Sequence, residues 1–447
     1  MVVGTPTKTV RRRCAIATLV LVSFASPTRG ASGEIRAGQV DAIYPDIEKL
    51  YVDLHRHPEL AFHEQRTAAT LAARVEALGY DVTTGVGGTG IVAILKNGPG
   101  PVVMLRTELD ALPMEEKTGL PFASTVKTKN DAGDVVPVAH ACGHDLHMAV
   151  WAGTAELMAK NRDRWHGTLM LVGQPAEEIV AGAAAMLRDG LFTRFPKPDY
   201  ALGLHNDHAM PAGVIGYRSG FFRANSTGLE MTVYGKGGHG AYPHAAIDPV
   251  LIASRIVVGL QSVVSRENNP ADPAVITVGS IHGGSASNII PDEVKLQITV
   301  RSLDPAVHKR LLAAIARQAK GEAIAANAPK EPLIETKSHT DAVHNDPELT
   351  SRMAAAARAA LGTGRVVEMP AQMGGEDFSQ FGLAGVRAVL LHIGAVDPAK
   401  LEAARRSGVP GPTVHSPLWA PEYQPTIKAA ILAETAILMD LLGGSSG

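Results

Sequence analysis

The sequence predicts an α/β protein with a mixed sheet and helices on both of its faces, interrupted by a smaller inserted α+β domain of the order β-α-β-β-α. Strand-like and helix-like segments alternate over residues 40–221 and 340–443. Within residues 222–339 the pattern changes and favours a small antiparallel sheet backed by two helices. The almost entirely apolar segment 102–107 indicates a strand that is covered on both faces.

Apolar spacing defines the individual elements. Before the insertion, the predicted helices are 41–54, 64–78 and 148–158, and the predicted strands are 80–84, 90–95, 102–107, 168–173 and 200–205. Inside the insertion, the predicted strands are 229–234, 274–281 and 294–300, and the predicted helices are 248–264 and 305–326. After it come a helix at 347–361, strands at 365–368 and 388–393, and a helix at 426–442.

Length, composition and charge exclude some classes of protein. A chain of 447 residues is long enough for two or three domains, and a hydrophobic content of 45% is ordinary for a soluble globular protein. The net charge of −2 argues against a general nucleic-acid binder, which needs a basic face. No nucleic-acid partner is therefore expected.

The N-terminal residues 1–31 are typical of a signal peptide. Lys8 and three consecutive arginines, starting at Arg11, precede an apolar run at 14–25. This pattern predicts a periplasmic or secreted protein, and the arginines are compatible with twin-arginine export. The alternative is an overextended start of a cytoplasmic enzyme. No later segment rivals this apolar run, so no membrane association is expected after its removal.

The segment 140–147 carries three histidines, one cysteine and one aspartate. Thiolate, imidazole and carboxylate groups are the ligand set of a zinc-like transition metal. If the signal peptide is removed, Cys142 is the single cysteine of the mature chain, which excludes a disulfide within it. The alternative interpretation of Cys142 is a small buried apolar thiol.

Further metal-competent groups follow other predicted strands, namely Asp110, Glu177, Glu178, His205 and His415. Open α/β sheets bind ligands at the carboxyl ends of their strands. Charged groups that are buried together need a compensating cation. Adjacent carboxylates point in different directions, so one of Glu177 and Glu178 can bind metal while the other serves as a base. The alternative is a pair of solvated glutamates that open a helix.

Eight motifs in order along the chain carry a resemblance to a known family. They are LHRHPEL (54–60), DALP (110–113), HACGHD (140–145), QPAEE (174–178), GGHGAYPH (237–244), SNIIP (287–291), GEDF (375–378) and HSP (415–417). With these motifs the sequence resembles the aminoacylase, hippurate hydrolase and auxin-amino-acid-conjugate hydrolase family of dinuclear-metal amidohydrolases. The larger domain would then be catalytic, and the insertion would be a lid and dimerisation domain.

The resemblance implies a site for two divalent ions, which could be Zn, Mn, Co or Ni. Cys142 would bridge the two ions. His144 and His205 would complete one metal site, and Glu178 and His415 would complete the other. Glu177 would be the general base, and Asp110 would orient an imidazole ligand.

The resemblance also assigns roles to residues of the insertion. His239 would polarise the substrate carbonyl, supplied to the partner's site across the interface of a homodimer or dimer-based oligomer. Asn288 would recognise the substrate carboxylate, and Gly375 belongs to a loop, residues 371–378, that would line the pocket. Without the resemblance, His239 could equally lie in a glycine-rich turn. Glu108, where the family has aspartate, and His208, a rival ligand to His205, depart from the expected pattern.

The expected activity is hydrolysis of N-acyl-amino acids, either hippurate-like or N-acetyl-amino acids, to a carboxylate and an amino acid. The alternative activities are those of a dipeptidase or an N-acetyl-diaminopimelate-type deacetylase. A hypothesis of a different class is a noncatalytic binder of acylated amino acids, which a hydrolysis assay would distinguish.

Overall fold

The computed structural model of the chain describes residues 1–5 and 37–443. Apart from residues 1–5, which form no helix or strand, the predicted signal peptide lies outside the described residues, and export stays a prediction. The described helices are α1 (Ala37–Arg56), α2 (Gln65–Ala77), α3 (His144–Lys160), α4 (Gly182–Arg188), α5 (Pro249–Ser262), α6 (Pro305–Ala325), α7 (Pro347–Leu361), α8 (Ser379–Leu383), α9 (Pro398–Ser407) and α10 (Tyr423–Leu442).

The described strands are β1 (Asp81–Val86), β2 (Gly90–Asn97), β3 (Val102–Glu108), β4 (Lys127–Lys129), β5 (Val135–Pro137), β6 (Gly167–Gln174), β7 (Tyr200–Pro211), β8 (Ile215–Tyr217), β9 (Gly220–Arg223), β10 (Asn225–Tyr234), β11 (Gly238–His239), β12 (Ala274–His282), β13 (Ile289–Ile290), β14 (Glu293–Ser302), β15 (Leu333–Thr340), β16 (Val343–Asn345), β17 (Val366–Glu368) and β18 (Arg387–Val396). Eight of them form the larger sheet, in the order β1-β2-β6-β3-β7-β18-β8-β17. The neighbours β6, β3, β7 and β18 run parallel, whereas β1, β2 and β6 pair antiparallel. The carboxyl ends of the four parallel strands therefore meet at one edge.

Side chains of the larger sheet alternate between two cores on opposite faces. In β3, Val103 and Leu105 belong to one core and Met104 belongs to the other. The first core includes residues of α1, α3 and α10, and the second includes Ala183 of α4 and Phe381 of α8. Both faces of β3 are thus removed from water, which explains its apolar sequence.

The smaller sheet is antiparallel, in the order β12-β14-β10-β15. Leu229, Met231 and Val233 of β10 share a core with Ile256 of α5 and Ile315 of α6. In β14, buried and more exposed residues alternate, as expected for a strand with one covered face. The predicted fold class, a mixed sheet interrupted by a smaller α+β part, is confirmed. The boundaries 40–221, 222–339 and 340–443 stay predictions.

The predicted order β-α-β-β-α omits β15, which pairs with β10 at the edge of the smaller sheet. In this strand Thr340 is buried and six of the eight residues are exposed. A solvated edge strand lacks the alternation of apolar and polar residues by which strands are recognised.

Residues Pro249–Glu267, which include α5, are long and apolar enough to cross a membrane by length and composition. The expectation that no later segment rivals the N-terminal apolar run was wrong in this respect. Ile252, Ile256 and Leu260 of this segment are buried in the core beneath the smaller sheet. Packing on that sheet accounts for much of the segment's apolar composition.

A buried carboxyl group lies between two helices of the first core. Glu434 of α10 is buried, and Thr154 Oγ1 of α3 donates a hydrogen bond of 2.9 Å to its Oε2. Burial raises the pKa of Glu434 from 4.5 to about 8. Because the folded-state pKa is the higher one, the stability that the protonated group contributes is full below 4.5 and is lost as the pH rises through about 8.

Glu434→Gln is therefore expected to remove a pH dependence of stability. The neutral amide can still accept the Thr154 hydrogen bond, and above the folded-state pKa the variant should be more stable than wild type by about 1–3 kcal/mol. Urea unfolding across this pH range measures the difference. If the free energy of unfolding changed with pH in the same way in wild type and variant, Glu434 would not titrate in this pH range.

Candidate metal centre

Polar residues from distant parts of the chain meet at the carboxyl edge of the larger sheet. Strand β3 ends at Glu108, and Asp110 follows it. Strand β6 leads into Glu177, and β7 carries His205 at its midpoint. Helix α3 begins at His144, earlier than predicted, so this histidine lies in the first turn of a buried helix. Helices and strands thus hold Glu108, His144 and His205 directly, while Asp110 and Glu177 follow the ends of strands.

The first group of candidate ligands is Cys142, His144 and His205, whose ligand atoms lie within 4.8 Å of one another. Cys142 Sγ and His205 Nε2 are 3.4 Å apart. His144 Nδ1 donates to the carbonyl oxygen of Asp110 over 2.8 Å, and His205 Nδ1 donates to that of Asn206 over 2.7 Å. These bonds select the tautomer that leaves each Nε2 lone pair available to a metal.

The second group is Cys142, Glu178 and His415, whose ligand atoms also lie within 4.8 Å of one another. His415 Nε2 is 3.4 Å from Glu178 Oε2. The backbone N–H of His415 donates to the carbonyl oxygen of Ala141 over 2.8 Å, which joins the two ligand loops. Cys142 belongs to both groups, so its sulfur lies where two ions could share it.

The donor set and its surroundings fit two divalent ions. Thiolate, imidazole and carboxylate groups are ligands of zinc-like metals. Among the described residues, His144 Nε2 and Glu178 Oε1 are buried without a hydrogen-bond partner. Burial raises the pKa of Cys142, and it raises the pKa of Glu178 to about 7. A neighbouring cation would favour the ionised form of both groups.

Glu177 lies beside these groups, with its Oε2 3.7 Å from His144 Nε2. Burial, reinforced by the carboxylates of Glu376 and Glu178, raises the pKa of Glu177 well above its ordinary value. Asp110 lies behind the ligands: its Oδ2 accepts the backbone N–H of Glu178 over 2.9 Å, and its Oδ1 is 3.5 Å from His144 Nδ1. The structure therefore brings together the five predicted metal ligands, Glu177 and Asp110.

A buried arginine network behind Glu177 was not predicted. Arg106 Nε donates to Gln174 over 2.9 Å, and its Nη2 donates to Glu376 over 2.9 Å and to Asp377 over 3.3 Å. Its Nη1 donates to Glu108 Oε1. A charged residue at the end of an apolar buried strand was the available sequence signal, because such a group needs partners.

Glu108 connects this network to α3, which gives a role to the longer side chain at this position. Its Oε2 accepts a hydrogen bond of 2.9 Å from His147 Nδ1. His147 Nε2 in turn accepts the backbone N–H of Asn206 over 2.8 Å, and the Asn206 side chain donates to the Cys142 carbonyl oxygen. A Cβ at Gly143 would lie 2.5 Å from Asn206 Nδ2, so glycine is required at this contact.

A second unpredicted group lies next to His205. His392 of β18 is paired with His205 of β7 in the parallel register, and their ring centroids are 5.7 Å apart. His392 Nδ1 donates to Asp207 Oδ2 over 3.0 Å. Arg223 donates to the Gly375 carbonyl oxygen over 3.1 Å, and its Nη1 is 3.4 Å from His392 Nε2. The structure thus places Gly375 beside a cation near the candidate ligands.

His239 is the last residue of the short strand β11, and Asn288 directly precedes β13; both are exposed, and the Gly240 N–H donates to the Asn288 carbonyl oxygen over 2.8 Å. Within residues 37–443, no hydrogen bond, ion pair or ring contact joins either residue to the two ligand groups. His208 belongs to none of the metal-competent groups of the described chain, and its ring faces Trp419 with centroids 6.3 Å apart. The structure thus gives no support to His208 as a rival ligand.

Known proteins resemble this chain in both sequence and structure. Over 268 residues it is 40% identical to hippurate hydrolase of Campylobacter jejuni, covering 59% of this chain and 66% of the relative. Over 329 residues it is 36% identical to N-acetyl-L-cysteine deacetylase of Bacillus subtilis, covering 73% and 75%. A crystal structure described as a dinuclear metal binding peptidase from the M20 family, also from B. subtilis, superposes with a TM-score of 0.72 at 28% identity, over 89% of this chain and 98% of that one.

These relatives confirm the resemblance inferred from the motifs and the prediction of a hydrolase that acts on amide bonds. The model of peptidase family M20/M25/M40 matches residues 104–404, which include Cys142, His144, Glu177, Glu178 and His205. Because this match covers more than half of the sequence, the chain belongs to peptidase family M20/M25/M40.

Proposed function

We propose that the protein is a metal-dependent amidohydrolase that cleaves N-acyl-amino acids into a carboxylate and an amino acid. The observation that carries this proposal is the position of Glu177, a buried carboxylate that borders both ligand groups without being needed to complete either. A binder of acylated amino acids would have no use for a base at this point. Relatives named hippurate hydrolase and N-acetyl-L-cysteine deacetylase support an N-acyl-amino acid as the substrate.

Cys142, His144 and His205 would hold one divalent ion, and Cys142, Glu178 and His415 would hold the other. When bound, these ions would lower the pKa of a water molecule and polarise the scissile carbonyl group. Glu177 accepts the proton of the attacking water at its carboxylate and returns it to the nitrogen of the leaving amine. The donor set is compatible with Zn, Mn, Co or Ni, since similar ligands bind all four.

Asp110 and Arg223 support this chemistry in different ways. Asp110 holds the backbone of Glu178 and the ring of His144, so that both keep their orientation. Arg223 contributes a guanidinium group beside Gly375. This positive charge favours an anionic substrate group there, such as the carboxylate of an acylated amino acid.

We also propose that His239 and Asn288 act on the site of a partner chain in a homodimer. Both residues are exposed and, within the described chain, make no contact with the ligand groups. A histidine between flexible glycines can approach a carbonyl oxygen closely, where it would stabilise the developing negative charge. Asn288 would bind the substrate carboxylate.

Glu177→Gln is expected to lower kcat by about 10²–10⁴-fold, because the amide cannot accept the proton of the attacking water. Its metal content should stay that of wild type, since Cys142, Glu178 and both histidines of the first group are intact. Hydrolysis of benzoyl-, acetyl- and indoleacetyl-amino acids, with metal measured by mass spectrometry, tests both expectations. Turnover equal to wild type would exclude Glu177 as the base. A wild-type protein that binds these compounds and hydrolyses none of them would be a noncatalytic binder.

Cys142→Ala is expected to reduce bound metal from two ions per chain to less than one, because the lost sulfur is common to both groups. Cys142→Asp is the matched control, since it keeps an anionic donor at the shared position and should retain more metal. The metal-to-protein ratio of each variant, measured after gel filtration, tests both expectations. Two ions per chain in the alanine variant would rule out a shared sulfur ligand.

Mixing two inactive variants tests whether His239 acts in trans. In a heterodimer of Glu177→Gln and His239→Ala chains, one site keeps its own Glu177 and receives an intact His239 from the partner. Random subunit exchange should therefore restore about a quarter of wild-type activity. Either variant exchanged with itself should stay inactive. If His239 acts on its own chain, the mixture regains nothing.

A further inference from the structure

The residue that precedes Glu177 has a strained backbone. Ala176 has a φ of 50°, in the left-handed region that side chains other than glycine rarely adopt, and it is fully buried. Such a conformation persists only where the surrounding structure holds it. Because Glu177 and Glu178 follow directly, the conformation of Ala176 determines the direction in which both carboxylates leave the strand.

The carbonyl side of Ala176 is held by its own turn. Its oxygen accepts the N–H of Gly182 over 3.1 Å and the N–H of Ala181 over 3.2 Å. A Cβ at Gly182 would lie 1.5 Å from the carbonyl oxygen of Pro175, so only glycine permits this closure. These contacts are local, and they leave the N–H of Ala176 to be satisfied from elsewhere.

A carboxylate from a distant segment satisfies that N–H. Glu64 Oε1 accepts it over 2.8 Å, although the two residues are 112 positions apart. The same oxygen accepts the N–H of Phe62 over 2.9 Å, and Phe62 also has a left-handed φ, of 61°. Thr89 Oγ1 donates to the other oxygen, Oε2. The carboxylate is fully buried and has hydrogen bonds at both oxygens.

Glu64 does not cap the helix at whose N-terminus it lies. It stands at the N-cap of α2, where an acidic side chain commonly accepts helix N–H groups, but its side chain makes no such bond. Glu59 does so instead, accepting the N–H groups of Arg66 over 3.1 Å and Thr67 over 2.7 Å. The Glu64 side chain is thus directed away from its own helix and toward the strand end that carries Glu177.

We propose that Glu64 is a positioning residue for the hydrolytic reaction: its carboxylate holds Ala176 in the left-handed conformation and thereby sets the place of Glu177. This inference rests on the proposed function of Glu177 as the base. Glu64 does not contact substrate or metal in this role. It acts from the amino side of the Glu177–Glu178 pair, while Asp110 holds the N–H of Glu178.

Glu64→Ala is expected to lower kcat by about 10–100-fold with little change in KM, because the base is displaced while the substrate pocket remains. Glu64→Gln should restore most of kcat, since its amide oxygen can accept both N–H groups and Thr89 can reverse its hydrogen bond. Equal losses in the alanine and glutamine variants would overturn the proposal.

Glu59→Ala is the matched control, because Glu59 lies in the same loop and its side chain accepts two backbone hydrogen bonds without touching residues 174–178. It should lose stability, as is also expected of Glu64→Ala, while kcat stays at the wild-type value. Thr89→Val removes one hydrogen bond from Glu64 and should lower kcat by a smaller factor than Glu64→Ala. It serves as the test if the alanine variant does not fold. A wild-type kcat in Thr89→Val or Glu64→Ala would contradict the proposal.

Crystal structures of Glu64→Ala and Glu64→Gln give a readout that does not depend on activity. In the alanine variant, residue 176 is expected to leave the left-handed region and the Glu177 carboxylate to shift. In the glutamine variant both should stay in place. An unchanged Ala176 and Glu177 in the alanine variant would refute the positioning role. If wild type hydrolyses no acylated amino acid, the proposed function fails, whereas these structures still decide whether Glu64 holds the turn.

Discussion

The parallel register of β6, β3, β7 and β18 is the constraint on which the candidate site depends. It places His205 directly opposite His392, and Glu108 opposite Gln174, on neighbouring strands about 4.8 Å apart. A slip of one residue in any of these pairs would turn the polar side chains to the opposite face. The apolar residues that alternate between the two cores oppose such a slip. Packing on both faces therefore determines where the chemistry is located.

Burial of negative charge is the second constraint at this edge of the sheet. The buried acids and the thiol include Cys142, Glu108, Asp110, Glu177, Glu178, Glu376 and Asp377. Arg106 pairs with Glu108, Glu376 and Asp377, so one side of the cluster is neutralised by the protein itself. On the other side, no lysine or arginine of the described residues forms an ion pair with Glu177 or Glu178. The negative charge on the first side is thus balanced by Arg106, whereas the negative charge near Cys142 has no such partner. This difference favours the binding of cations near Cys142.

The candidate ligands could be predicted from the sequence because metal-competent groups cluster in the segment 140–147 and after several predicted strands, whereas their division into two metal sites came from the resemblance to a known family. The larger sheet could be predicted for a similar reason, since continuous apolar strands alternate with amphipathic helices. Arg106 and His392 were missed because their importance depends on which strands are neighbours, and residues more than 180 positions apart meet there. The edge strand β15 was missed because its exposed residues carry no apolar alternation. What escaped prediction was pairing between distant segments, which a single sequence does not display.

Backbone strain indicates which parts of the candidate site are held in position by the folded chain itself. Five described residues other than glycine have left-handed φ values. Phe62, Ala176, Val180 and His415 lie in the segments around the candidate ligands, whereas Asn327 follows the end of α6. Tertiary contacts such as the Glu64 carboxylate must stabilise these conformations, so the ligand geometry is established by folding of the chain itself. His239 is different, because it is exposed and the contacts of its side chain are with its own turn. The single chain thus places the buried charge by itself, whereas the proposed polarisation of a substrate carbonyl by His239 is assigned to the site of a partner chain.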